Sequence, residues 1–313
     1  MKVLAHTGSP DLATVYIAET SEGKKIEFVE SVQPPLPREE KWVLIVSTLY
    51  GCPVECKMCD AGANYQGQIS RTDIMNQIDY MITQRYPNKI VPAKKFKVQF
   101  ARMGEPAFNL DVIEVLEDLP QLYQVPGLMP CISTIAPENC DRFFERLLDV
   151  KQHIYKNMFQ LQFSIHTTDL SLREWLMPVR KWDFNAIRQY GETFYEYGDR
   201  KITLNFALAE GIPLDPNELI SYFNPEIFLI KITPVNPTYK AMHHKLTSHL
   251  KPNVSEYKIV NQLKKEGYEV ILSMGELQEN QIGSNCGQYI THYQQNNQKL
   301  ANSYTCIPES FNS

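Results

Sequence analysis

From Trp42 onward, short apolar runs of strand length alternate with longer segments whose apolar residues return every three to four positions, a pattern that leaves few topologies open. Trp42 to Leu49 has the length and β-branched content of a buried strand. A polar loop follows, and then Ile74, Met75, Ile78, Met81 and Ile82 fall on one helical face behind the capping residues Ser70 and Thr72. The pattern repeats. Strands are predicted near Phe96 to Ala101 and Met129 to Ile135, with helices over Leu110 to Leu119 and after Pro137, where Phe143, Phe144, Leu147 and Leu148 turn inward. Leu161 to Ile165, Ile202 to Leu208 and Ile227 to Ile232 read as further strands separated by helical segments. Six strand–helix units predict an α/β fold, a partial (β/α)6 TIM-like barrel with a small N-terminal β appendage and a C-terminal extension. Such a barrel carries its reactive groups on the loops after the strands, which is where the cysteine loop, Gly104-Glu105-Pro106 and Asn236 fall.

The flanks divide the chain into three parts. Residues 1–38 form the β appendage, with strands between Thr14 and Val32 around the turn Glu22-Gly23-Lys24 and a Pro-rich close from Gln33 to Arg38. Residues 39–240 form the barrel. Residues 241–313 complete its face, with a helix from Ser255 to Lys265 ended by Gly267, a strand at Val270 to Leu272 and a polar tail after Gln294. No run approaches the roughly 20 apolar residues that span a bilayer, and Met1 to Pro10 lacks the apolar core of a signal peptide. A cytoplasmic protein without a membrane partner is the expectation. The formal charge of −5 speaks against general phosphate-driven binding, and so for a small-molecule or peptide substrate over ribosomal RNA.

Seven cysteines without a secretory signal point to thiolate chemistry rather than a disulfide framework. Cys52, Cys56 and Cys59 stand in C-x3-C-x2-C spacing on a loop after a buried strand, close enough to converge on one inorganic centre. Three thiolates on a 4Fe–4S cluster leave one iron open to an exogenous ligand, which suits a centre that passes an electron to a bound molecule. Structural zinc is the alternative, but it wants four closed ligands, and no Cys or His follows within forty residues of Cys59. An electron carrier of ferredoxin type would use four cysteines and far less chain.

This spacing, followed by Gly104-Glu105-Pro106, resembles the radical S-adenosylmethionine superfamily. Members usually have an aromatic residue before the third cysteine, where this chain has Met58, whose side chain fills similar apolar space. Within the superfamily the chain resembles the RlmN/Cfr-type radical methyltransferases, which methylate adenine carbon in RNA. Arg102-Met103-Gly104-Glu105-Pro106 with Asn109, Ile132-Ser133-Thr134, Ser164-Ile165-His166, Val235-Asn236-Pro237 and Ser284-Asn285-Cys286-Gly287-Gln288 occur in that family's order, between about residues 14 and 292. The resemblance implies that Gly104 and Glu105 hold the amino end of S-adenosylmethionine, while Ser133, Ser164, His166 and Asn236 bind its carboxylate, ribose or adenine. Taken singly, each of these also reads as a turn, a cap or a satisfied core histidine. By the same resemblance Cys286 carries the methyl group, Glu30 accepts a proton, and a donor such as flavodoxin or ferredoxin supplies the electron. Read alone, Glu30 is equally a solvated carboxylate and Cys286 a buried, inert thiol.

Two departures matter. Ile45 occupies the position of the family's second catalytic cysteine, so another thiol, Cys131, Cys140 or Cys306, must substitute if the methyl-cysteine route is kept. Relatives begin with an accessory domain, whereas about a dozen residues here precede the similarity. Three functions follow: a methyltransferase of the methyl-cysteine kind, a radical enzyme abstracting hydrogen directly from its substrate, and a non-enzymatic metal-binding module.

Overall fold

The computed structural model describes residues 1–62, 64–248, 250, 257–275, 277–284, 288–290 and 293. Strands β1 (Lys2–Ser9), β2 (Ala13–Glu19), β3 (Lys25–Val32) and β4 (Lys41–Val46) come first, followed by helix α1 (Arg71–Arg85) and strand β5 (Lys95–Phe100). Next are α2 (Asp111–Leu122), β6 (Leu128–Thr134), α3 (Asp141–Val150), β7 (Gln160–Ser164), α4 (Leu170–Leu176), α5 (Phe184–Phe194) and β8 (Ile202–Leu208). The chain continues through α6 (Pro216–Tyr222), β9 (Phe228–Pro234), α7 (Tyr239–His243), α8 (Lys258–Lys265), β10 (Val270–Leu272) and α9 (Leu277–Ile282).

Among the described residues, the ten strands form one sheet in sequence order. Pairing is antiparallel from β1 to β4 and parallel from β4 to β10. The predicted (β/α)6 core is present as β4 to β9, and β10 extends the parallel run by one strand. Residues 1–38 are continuous with that sheet, since Glu30 pairs with Leu44 and Val29 with Ile45. β1 has no counterpart in the sequence reading; it pairs on one side only and is half-exposed, so it lacks the burial pattern that marks an interior strand. β4 ends at Val46 rather than Leu49 because the Thr48 and Leu49 amides turn to the Met103 carbonyl, at 2.8 and 3.1 Å. The start expected for α8, at Ser255, lies outside the described residues.

The pleat sorts the strand residues into two faces. Trp42, Leu44 and Val46, with Phe96, Val98 and Phe100, join the core beneath the helices, where they meet Ile74, Ile78, Met81, Leu116 and Phe143. The alternate residues line the bore. On β5 to β7 these are polar: Gln99 Nε2 lies 3.5 Å from Ser133 Oγ, and Gln162 Nε2 lies 2.8 Å from Cys131 Sγ. On β2 to β4 the bore face is apolar apart from Glu27, and Val15, Ile17, Val29 and Ile45 pack with Ile282 and Tyr289 of the C-terminal segment. No helix of the described residues is long and apolar enough to cross a membrane.

Candidate functional site

The cysteine loop leaves the end of β4 and packs on the next βα loop. Cys52 is buried, with the Val54 and Glu105 backbone amides near its sulfur. Burial dominates its acidity and pushes the thiol up to about 11, against the lowering influence of those two amides. The Cys56 thiol lies well above its ordinary value, first through burial and then through the neighbouring Cys59 and Cys52. Three thiols near enough to oppose one another's ionisation are a donor set that a cationic centre would relieve, displacing the protons. Among the described residues no three His, Cys, Asp or Glu side chains gather around a single metal-ion position. The donor set, three cysteine thiols on one loop, is the kind that holds an iron–sulfur cluster, so the loop fits the cluster on donor type. Met58 packs with Cys52, Cys56 and Phe108 in one apolar layer, filling the space assigned to it.

Gly104 has φ +98°, and a Cβ there would come within 2.5 Å of Leu49. Only glycine allows the approach of the two loops. Glu105 is buried; its carboxylate accepts from the Ala107 amide at 3.1 Å, the Thr134 hydroxyl at 2.5 Å and the Ile135 amide at 2.9 Å. Burial outweighs these bonds and raises its pKa to about 7. Ser133 and Ser164 line the bore at the ends of β6 and β7, and Asn236 follows β9. His166 adopts φ +66° and takes a hydrogen bond from the Ala207 amide on Nδ1, 3.1 Å away. Burial, assisted by Arg173, lowers its pKa to about 4, so the ring is neutral at pH 7 and carries its proton on Nε2.

Asn205 was not among the residues singled out from sequence. It pairs with Ser164 across the β7–β8 ladder, and its side-chain oxygen is buried without a hydrogen-bond partner. A buried acceptor left open beside Ser164 is what a site for a polar ligand would present. Pairing with the bore-lining Ser164 puts Asn205 on the bore, but nothing in the sequence said that its oxygen would lack a partner.

The structure does not bring Glu30 to this site. Its side chain faces the helices, accepting from Tyr16 Oη at 2.6 Å, Trp42 Nε1 at 3.1 Å and Arg85 Nη2 at 2.8 Å. Three residues earlier, an odd step along a strand, Glu27 faces the opposite way. It is fully buried, in ionic contact with Arg102 at 2.8 Å, and accepts from the Tyr289 and Ile290 amides at 2.8 and 3.1 Å. Burial raises its pKa despite Arg102. Arg102 also donates to the Gly283 and Ser284 carbonyls, at 2.8 and 2.9 Å. Cys286 and Cys306 lie outside the described residues. Cys140 packs on the helix side, and burial pushes its thiol up to about 11. Cys131 faces the bore in the same cross-strand row as Ile45, since Ile45 pairs with Gln99 and Gln99 with Cys131.

No protein-family profile matches the chain. It is 24% identical over 247 residues to a probable dual-specificity RNA methyltransferase RlmN of Syntrophomonas wolfei, covering 75% of this chain and 66% of the relative. A probable RNA methyltransferase of Ectopseudomonas mendocina is 30% identical over 215 residues, 67% of this chain and 56% of that protein. The chain thus spans two thirds or less of these relatives' length. Its fold matches the crystal structure of a radical SAM methyltransferase from Sphaerobacter thermophilus with a TM-score of 0.64 at 18% identity, over 92% of this chain and 80% of the other. By its motifs and these relatives, the chain is similar to the RlmN/Cfr-type proteins of the radical S-adenosylmethionine superfamily.

Proposed function

We propose that the protein is a radical S-adenosylmethionine methyltransferase of the RlmN/Cfr type. In this reading Cys52, Cys56 and Cys59 hold a 4Fe–4S cluster, and the mouth around Gly104, Glu105, Ser133, Ser164, His166, Asn205 and Asn236 receives S-adenosylmethionine. The observation that carries it is the joint between two loops: the Thr48 and Leu49 amides, just before the first cysteine, donate to the Met103 carbonyl, and Gly104 packs against Leu49. The cysteine loop and the segment assigned to the cofactor's amino end are thereby built as one unit.

When bound, the cluster and S-adenosylmethionine supply one-electron chemistry and a methyl group. The chain's own residues bind, orient and move protons. Neutral His166 offers an Nε2–H donor, and Asn205 offers an open acceptor. Glu27, buried and raised in pKa, takes the role of proton acceptor in place of Glu30. Cys286 is the residue to carry the methyl group, and its sequence neighbours on either side, Ser284 and Gln288, are buried. For the thiol missing at Ile45, Cys131 shares the bore row, whereas Cys140 faces the helices. The relatives' names make an RNA base the substrate class to test first, ahead of the small molecule or peptide that the net charge favours. Flavodoxin or ferredoxin serves as the electron donor.

The test is anaerobic reconstitution with trideuteromethyl S-adenosylmethionine, followed by mass spectrometry of the Cys286 peptide. Label on Cys286 is the expected result. Brisk 5′-deoxyadenosine formation without label would instead favour direct hydrogen abstraction, the reading to which Ile45 lends weight. A colourless zinc protein indifferent to S-adenosylmethionine would sink both.

A further inference from the structure

The residues that open α7 close over the cysteine loop. Thr238 Oγ1 donates to the Met58 carbonyl at 2.9 Å, and the Tyr239 and Lys240 amides donate to the Asp60 carboxylate at 3.1 and 2.9 Å. Lys240 Nζ donates to the Gly62 carbonyl, and the Gly62 amide donates in turn to the Cys59 carbonyl at 3.2 Å. Position 62 has no room for more than glycine: an added Cβ would stand 3.1 Å from Lys240 Nζ and 2.7 Å from Glu55 Cα. The ammonium therefore enters the turn that follows the third cysteine.

We propose that Lys240 is a positioning residue for the cluster, holding the turn after Cys59 and supplying a fixed positive charge that makes the cluster easier to reduce. This rests on the cluster reading above. Reduction adds one electron, from an external donor, and so one negative charge to the centre. A cation held close in a partly buried site stabilises the more negative state over the less negative one. Asp60 also lies near, but its carboxylate is engaged by the two backbone amides, and the charge that Lys240 brings sits at its other end, on Gly62.

The experiment is a reductive titration of the anaerobically reconstituted full chain with dithionite, followed by EPR, with iron and sulfide determined on the same samples. Wild type is compared with Lys240→Gln and Lys240→Arg. The expected result is full iron in all three, a midpoint potential shifted to more negative values in Lys240→Gln, and a potential near wild type in Lys240→Arg. Iron loss confined to Lys240→Gln and restored in Lys240→Arg also supports the assignment. An unshifted potential in an iron-loaded Lys240→Gln overturns it, as does the same shift or the same iron loss in both variants. Wild type that binds no iron overturns the cluster reading itself, a result distinct from the other outcomes.

Discussion

Glu27 and Glu30 stand three positions apart on β3, so the pleat sends them to opposite faces, and their environments differ accordingly. Glu30 meets Arg85 at 2.8 Å and Arg38 at 3.7 Å beneath the helices. Glu30→Gln leaves those guanidinium groups without a counter-charge and should cost about 3 kcal/mol in a urea titration, with turnover of the folded protein unchanged. Glu27→Gln should reduce turnover by on the order of 100-fold or more, as for loss of a proton acceptor, while iron content holds. Equal turnover losses in the two variants would contradict the division of roles. His166 supplies a pH test. Its pKa falls from an ordinary 6.5 to about 4 on folding, so the unfolded chain binds that proton more tightly. The contribution is whole above about pH 6.5 and is lost as the pH falls through about 4. The stability advantage of wild type over His166→Asn, which keeps an acceptor for the Ala207 amide, should shrink across that window by at most about 3 kcal/mol. A difference independent of pH would show that the imidazole is not held neutral.

At the scale of elements, the site depends on the close approach of the loops after β4 and β5. Gly104→Ala meets both a left-handed backbone and the Leu49 side chain. It should lower stability by about 1–3 kcal/mol and reduce iron retention after desalting, measured against wild type in the same preparation. Unchanged iron retention would mean that this joint does not hold the cysteine loop. Most strands and helices were legible from pattern alone, because β5 to β9 alternate under a helical layer and α1 to α3 keep an apolar face. β1 was not, since one neighbour and half-exposure leave no periodic signature. The orientation of β3 was not legible either. Both of its faces are buried, one by the helices and one by the C-terminal segment, so the choice between Glu27 and Glu30 required the register against β4.

For the whole molecule, charge and sheet continuity bear on the partner. With a net charge of −5, affinity for an RNA hairpin should be weak and should fall steeply between 50 and 200 mM salt in fluorescence anisotropy. Salt-resistant binding to one hairpin would show recognition through base contacts and shape. The cysteine spacing and the βα period were decided locally: each reflects bond geometry or burial over a few residues, which sequence records directly. What the tertiary structure alone decided were contacts between distant segments. Arg102 with Gly283 and Ser284, Glu27 with Tyr289 and Ile290, and Lys240 with Gly62 join residues roughly 180 to 260 positions apart. Each uses a backbone carbonyl or amide as one partner, and because every residue carries those groups, no residue type in the sequence could announce them.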